Sequence, residues 1–298
     1  MDYQFAPSSQ TRAVKPDLSC IIVNYNHGSI LGQCLESLTS IPAPESFETI
    51  VVNNSPEDEL VAEAVKPHPR VRLIQNARNL GFSKANNQAV RESVGQYILF
   101  LNPDAELLPE AVDVMRAHLD ANPQTALVGP KVLDPDGALQ YSCRRFPNLW
   151  TGLFNRYSLL SRWFPDNRFT THYLMKDFDH ASIRKVDWVS GCCMMIRRSD
   201  FEQVGGFDEN YFLFNEDVDL CFEMKKRGRD VVYLPEARIN HKVTASSGKV
   251  SWRIIIKRHQ GMSYFYRKHY QGNALAAVCV HSLIFMRCMA QLAINQLK

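Results

Sequence analysis

The sequence predicts an α/β fold, a sheet with helices on both faces, followed by a C-terminal helical extension. Three observations predict it. Short β-branched apolar runs alternate with longer amphipathic ones over about the first hundred residues, the rhythm of parallel strands covered by helices. Asparagine-rich turns follow the first four apolar runs, and ligands of open parallel sheets gather beyond the carboxyl ends of the strands. After Glu236 no acidic residue remains, while ten Lys and Arg residues accumulate there against a net charge of only +3 for the whole chain.

Leu18 to Val23 is the first expected strand, and Ile30, Leu31, Cys34, Leu35 and Leu38 recur behind it at helical spacing. Phe47 to Val52 and Val71 to Ile74 follow as strands, separated by a helix over Glu57 to Val65. A helix over Gly81 to Val94 leads into a fully apolar strand, Tyr97 to Leu101, and another helix opens at Pro109 and runs to about Asp120. Ala126 to Leu133 and Ala138 to Arg144 read as strands around the turn Asp134-Pro135-Asp136-Gly137. Residues 146 to 186 are aromatic and irregular, a region suited to reading an acceptor. Trp188 to Ile196 is strand-like, Asp217 to Arg227 is helical with Gly228 placed to stop it, and Asp230 to Leu234 is a last strand. The expected organisation is a tail (1–17), an α/β domain (18–247) and a basic, apolar C-terminal helical segment (248–298).

At 298 residues and 45% hydrophobic content the chain can bury a sizeable core, which excludes a disordered protein. Met1 to Asp17 has no apolar centre and reads as neither signal peptide nor anchor, so the domain is expected in the cytoplasm. Eight cysteines without a CxxC pair fit ordinary thiols in a reducing compartment. GxGxxG, Walker, zinc-site and nucleophile-elbow patterns are all absent from the sequence.

The chemistry-bearing residues follow the strands. Asn24-Tyr25-Asn26, Asn53-Asn54-Ser55 and Asn76 through Asn79 to Gly81 place paired amide donors and acceptors where a base and a ribose could bind. Asn102-Pro103-Asp104 delivers a carboxylate at the end of an apolar strand, a position suited to a hard divalent ion on a diphosphate. Glu216, Asp217 and Asp219 open a helix behind an aromatic run; one acid satisfies the helix dipole, which leaves two for other work, general-base chemistry included. His241 follows a strand and could add an imidazole ligand. Gly205-Gly206-Phe207-Asp208 reads as a turn placing Phe207 and Asp208 near the site.

Taken in order, these pieces resemble the family 2 glycosyltransferases of the GT-A fold, and particularly their rhamnosyltransferase-like branch. The resemblance spans about Leu18 to Ser247. It is carried by the segments around Asn24-Tyr25-Asn26, Asn53-Asn54, Asn79-Leu80-Gly81 through Asn86-Asn87, Asn102-Pro103-Asp104, Gly191-Cys192-Cys193, Gly206-Phe207-Asp208, Glu216-Asp217 and Asn240-His241. It implies that Asn24, Tyr25, Asn53, Asn79, Gly81, Asn86, Asn102 and Asp104 form the nucleotide-sugar side, and that Trp188, Gly191, Phe207 and Asp208 form the acceptor side. Asp104 and His241 would hold Mg²⁺ or Mn²⁺, with Asn102 standing where the family's metal motif begins with Asp. Asp217 would be the catalytic base, with Glu216 as its supporting partner, in an inverting transfer. The implied donor is a dTDP or UDP sugar, dTDP-L-rhamnose by preference, and the implied acceptor is a saccharide or a lipid-linked saccharide of cell-surface polysaccharide synthesis. A glycan-binding or scaffolding relative without activity is the alternative that Asn102 suggests.

The C-terminal segment mixes Trp252, Tyr264, Phe265, Tyr266 and Tyr270 with basic residues, then becomes apolar. Gln271 to Met286 carries no Lys, Arg, Asp or Glu, a run shorter than the roughly 20 residues of a membrane span. It reads as an interfacial helix on an anionic membrane, peripheral on the inner face of the cytoplasmic membrane. No nucleic-acid-binding domain is recognised, so nucleic acid is not expected as a partner.

Overall fold

The computed structural model describes residues 16–39, 47–148, 167–242, 250–270, 272 and 274–296. Four parallel strands, β1 (Leu18–Asn24), β2 (Phe47–Asn53), β3 (Val71–Gln75) and β4 (Tyr97–Leu101), begin a mixed sheet and place Asn24 opposite Asn53 at one edge. β11 (Cys193–Arg197) lies antiparallel between β4 and β6 (Thr125–Leu133), and β12 (Asp230–His241) continues parallel to β6. β5 (Ala105–Leu107) closes that side antiparallel to β12, so the path across the sheet is β3-β2-β1-β4-β11-β6-β12-β5.

Burial follows the period of the strands. Ile21, Val23, Ile98, Phe100, Met194 and Ile196 face one apolar layer, against α3 (Phe82–Arg91), α6 (Arg198–Gln203) and α7 (Glu216–Lys226). Cys20, Ile22, Leu99, Leu101, Cys193 and Met195 face the other, against α1 (Gly28–Thr39), α2 (Leu60–Val65) and α4 (Ala111–Ala121). A strand covered on both faces has no polar side to alternate, which is why β1 and β4 read as continuous apolar runs. α5 (Arg168–Tyr173) and β9 (Arg184–Val186) punctuate the irregular region, of which residues 149–166 lie outside the described residues.

Several boundaries differ from the sequence expectation, each for a local reason. Trp188 to Ile196 is two strands: β10 (Trp188–Val189) pairs with β8 (Cys143–Arg144) in a separate two-stranded sheet, and the chain passes through Gly191 before joining the main sheet as β11. Ala138 to Arg144 likewise divides into β7 (Leu139–Gln140) and β8. The helix expected from Pro109 begins at Ala111, because Glu110 sits in the left-handed region. β12 does not stop at Leu234; it slips register between Leu234 and Arg238, absorbs Pro235 there, and reaches His241.

The C-terminal helices are α8 (Trp252–His269) and α9 (Ala274–Gln296). α8 is fastened to the body by a charged cluster. Lys268 Nζ donates to Asp208 Oδ2 and Asp219 Oδ2, each at 2.8 Å, His269 Nε2 lies 2.6 Å from Asp219 Oδ1, and the Tyr211 and Tyr264 hydroxyls donate to Asp219 and Asp208. Burial alone would lower the Lys268 ammonium's pKa, but the two carboxylates hold it above its usual value. Gly261 lets α8 come close: a Cβ there would sit 2.8 Å from Asn215 Nδ2. α9 has 23 residues with Arg287 its single charged side chain, so the helix is longer than the uncharged run and by length and composition could cross a membrane. Leu275, Val278, Phe285, Met286 and Met289 stand exposed on it.

Lys268→Ala leaves the buried Asp219 carboxylate short of a donor and should lower the unfolding free energy by about 1–3 kcal/mol, measured by urea denaturation.

Candidate active site

The asparagines at the sheet edge are held largely by one another. Asn24 Nδ2 donates to Asn53 Oδ1 and Asp58 Oδ2, both at 3.2 Å, and Asn53 Nδ2 donates to Gln75 Oε1 at 3.1 Å. Asn54 accepts from the Leu80 N–H at 3.0 Å and donates to Asn79 Oδ1 at 2.9 Å, and Asn79 Oδ1 also accepts from the Gly81 N–H at 2.8 Å. Asn86 is buried on α3 and donates to its own helix at Phe82 O, 2.9 Å away. Asn24, Asn53 and Asn86 therefore shape the edge from beneath, while Tyr25 is 44% exposed on it. Gly81, at φ +87°, is the crossing point: a Cβ would lie 2.6 Å from Phe212 O, and the next N–H, of Phe82, donates to that carbonyl at 2.7 Å. The loop before α3 is thus tied to the loop that leads into α7.

β5 and β12 bring Asp104 and His241 together. His241 pairs with Ala105 across the ladder, and its Nε2 lies 3.3 Å from Asp104 Oδ1. Gln140 decides the tautomer. Its Nε2 donates to Asp134 Oδ1 and to His241 O, each at 2.7 Å, which turns its Oε1 toward His241 Nδ1 at 3.0 Å. Nδ1 must donate there, so in the neutral ring Nε2 carries a lone pair facing a carboxylate oxygen. Nε2 is buried and has no aligned hydrogen bond among the described residues. Two lone pairs directed into one space call for a cation, either a proton or a metal. An imidazole and a carboxylate are suitable ligands for Mg²⁺ or Mn²⁺, and no third His, Cys, Asp or Glu joins them among the described residues. The remaining coordination would fall to phosphate oxygens and water.

Glu216 and Asp217 begin α7 after two consecutive left-handed residues, Phe214 (φ 68°) and Asn215 (φ 73°). Backbone of that kind costs on the order of 1–3 kcal/mol per residue and needs external support. Asn215 Nδ2 donates to Arg258 O on α8 at 3.4 Å, and the α8 backbone packs on this turn at Gly261. Asp217 Oδ2 accepts from the Gly191 N–H at 3.0 Å, and Oδ1 from the Val218 N–H at 2.8 Å. Burial raises the Asp217 carboxyl above its usual range, against the pull of these N–H groups. Glu216 is buried as well, and its Oε2 has no partner among the described residues. Burial, with Asp217 alongside, pushes its carboxyl well above the ordinary range.

The two acidic centres share one edge. Asn102 N–H donates to Cys192 O at 2.8 Å, one residue from the Gly191 N–H that holds Asp217 and two from Asp104. Burial raises the Cys192 thiol to about 11, with Asp104 and Asp217 both contributing. Trp188, three residues before Gly191, is buried under the Arg144 guanidinium at 5.0 Å. Of the residues expected on the acceptor side, Phe207 is in an aromatic cluster with Phe100 and Phe201, and Asp208 faces α8. The sequence pattern does not single out Asp58, Gln75, Gln140 or Arg144. Only Asp58, in the first turn of an expected helix, carries a local signal.

Residues 19–205 match a family model described as glycosyl transferase family 2. The chain is 31% identical over 266 residues to the N-acetylglucosaminyl-diphospho-decaprenol L-rhamnosyltransferase of Mycobacterium tuberculosis H37Rv, covering 86% of this chain and 85% of that one. It is 27% identical to a rhamnosyltransferase of Escherichia coli K12, over 74% and 81% of the two chains. A mannosyltransferase from Pyrobaculum calidifontis, solved with GDP-Man and Mn²⁺, superposes with a TM-score of 0.59 at 16% identity over 95% of this chain and 75% of that one, which shows the GT-A fold.

Gln140→Leu removes the acceptor that orients His241, and such partners typically govern about 10- to 100-fold in metal affinity. Titration of the variant with Mn²⁺ in the presence of a nucleoside diphosphate should show a loss of that order.

Proposed function

The chain belongs to glycosyl transferase family 2, and we propose that it transfers L-rhamnose from dTDP-L-rhamnose, with inversion, to a hydroxyl of a lipid-linked saccharide in cell-surface polysaccharide synthesis. It is a glycosyltransferase, so the glycan-binding or scaffolding alternative is set aside. The observation that carries the reading is the carboxylate of Asp217, held by the Gly191 N–H on the sheet edge that also presents Asp104. Rhamnose is supported by the two relatives named as rhamnosyltransferases, and a lipid-diphosphate acceptor by the name of the first of them.

In the proposed step the acceptor oxygen attacks the anomeric carbon as its proton passes to Asp217. The bond from that carbon to the diphosphate breaks, and the electron pair leaves with the nucleoside diphosphate. Gly191 and Val218 keep the Asp217 carboxylate aimed, with the buried Glu216 as its supporting partner. Asp104 and His241 would hold Mg²⁺ or Mn²⁺, which when bound offsets charge on the departing diphosphate. Trp188 and Gly191 line the acceptor side, while Tyr25 and the loop at Asn79 to Gly81 line the donor side. The exposed apolar face of α9 and the basic residues of α8 would seat the enzyme on the inner face of the cytoplasmic membrane.

Asp217→Asn should reduce kcat by roughly 10²- to 10⁴-fold and leave binding of the nucleoside diphosphate unchanged, measured with purified protein. A base acts only when deprotonated and burial raises this one, so kcat/KM should fall as pH is lowered, with a midpoint above the ordinary 3.8 of an aspartate. Screening nucleotide sugars for metal-dependent transfer tests donor and reaction together; dTDP-L-rhamnose should be the substrate used, and transfer from another donor alone would overturn the rhamnose assignment. Deletion of residues 272–298 should move the protein from the membrane to the soluble fraction.

A further inference from the structure

Arg144 has a surrounding unlike that of its neighbour. The Arg145 side chain is engaged, donating to His172 O at 2.8 Å and pairing with Asp177 at 3.4 Å. Arg144 donates its Nε to Tyr141 O at 3.0 Å, and its guanidinium lies over Trp188 at 5.0 Å and Tyr173 at 6.0 Å. Neither Nη has a carboxylate partner among the described residues. The bond at Nε and the ring beneath fix the plane of the group, leaving a two-nitrogen fork presented to whatever binds beside it. A fixed fork of that kind matches two oxygens of one phosphate.

Its place in the chain gives the direction. On one side, Arg144 is paired across β8 and β10 with Trp188, and that strand leads through Ser190, whose N–H donates to Ser142 O, to Gly191 and Asp217. The charge of Arg144 reaches Asp217 and offsets part of the effect of burial on that carboxyl. On the other side, Phe146 packs on Phe222 at 4.8 Å, and Pro147 O accepts from the Tyr270 hydroxyl at 3.2 Å, where α8 ends and the chain turns into α9. Arg144 therefore stands, along the chain, between the strand paired with the segment leading to Asp217 and the residues that touch the end of α8, after which α9 begins. A lipid-linked diphosphate saccharide has the same order: lipid, phosphates, then the sugar whose hydroxyl must reach Asp217.

We propose that Arg144 is the anion-binding residue of the acceptor subsite and takes a phosphate of a diphosphate-linked lipid acceptor. This rests on the reading of the chain as a transferase to lipid-linked saccharide. Trp188 and Tyr173 serve as the platform that keeps the guanidinium flat.

The probe is a short-chain isoprenyl diphosphate, titrated against the full-length chain in detergent with the donor site saturated by dTDP; the matching isoprenol is the control. Arg144→Gln should weaken binding of the diphosphate by about 10- to 100-fold, the range expected when a charged hydrogen bond is lost, and leave binding of the isoprenol unchanged. Arg144→Lys, which keeps the charge but loses the fork, should fall between the two, and unchanged binding of dTDP in both variants reports intact folding. Equal affinity of wild type and Arg144→Gln for the diphosphate, or an equal loss for diphosphate and isoprenol, overturns the proposal. Failure of dTDP-L-rhamnose as donor, with the Arg144-dependent binding intact, would instead overturn the donor assignment alone.

Discussion

The antiparallel pairing of β11 with β4 is the constraint on which the site depends. Cys193 lies opposite Leu101, so the chain entering β11 meets the chain leaving β4 at one edge. Asn102 N–H donates to Cys192 O there, and the Gly191 N–H, one residue earlier, holds Asp217. One ladder thereby fixes the spacing between the Asp104 carboxylate, which follows a strand, and the Asp217 carboxylate, which opens a helix. A sheet parallel throughout would have carried the 190–192 loop to the opposite edge.

The electrostatics of the site follow from burial on that edge. Three acids within four positions crowd like charges where burial already raises the Glu216 and Asp217 carboxyls. Their surroundings differ by partner. Asp219 is paired with the Lys268 ammonium and lies 2.6 Å from His269 Nε2, Glu216 Oε2 is buried without a partner among the described residues, and Asp217 receives two N–H groups. α8 enters the chemistry through the same arrangement. It supplies the cations for Asp219 and Asp208, and it braces the left-handed pair Phe214 and Asn215 that aims the helix. A helix remote in sequence thus holds a turn whose conformation the turn's own residues disfavour.

The parallel half of the fold was legible in the sequence, because strands buried on both faces leave unbroken runs such as Leu18 to Val23 and Tyr97 to Leu101. Asp104 and Asp217 stand where the sequence put them relative to their elements, one after an apolar strand and one in the first turn of a helix. What escaped was set by contacts distant in sequence. β5 is three residues long and exists only because β12 pairs with it, and β12 runs past Pro235 only because a register slip accommodates the ring. Asn24 and Asn53 read as ligand groups from their place after strands, and Asn86 from the resemblance; the sequence does not show that their amides donate to other protein groups. Gln140 and Arg144 had no local signal, because their surroundings come from His241 and Trp188 across paired strands.

The proposed single displacement, with Asp217 as base opposite a departing diphosphate, requires inversion at the anomeric carbon. The most direct measurement is the anomeric configuration of the product, read by proton NMR of the glycoside formed from a donor of known configuration. The product should have the configuration opposite to the donor's. Retention would contradict the proposed role of Asp217, since one base and one displacement cannot return the original configuration.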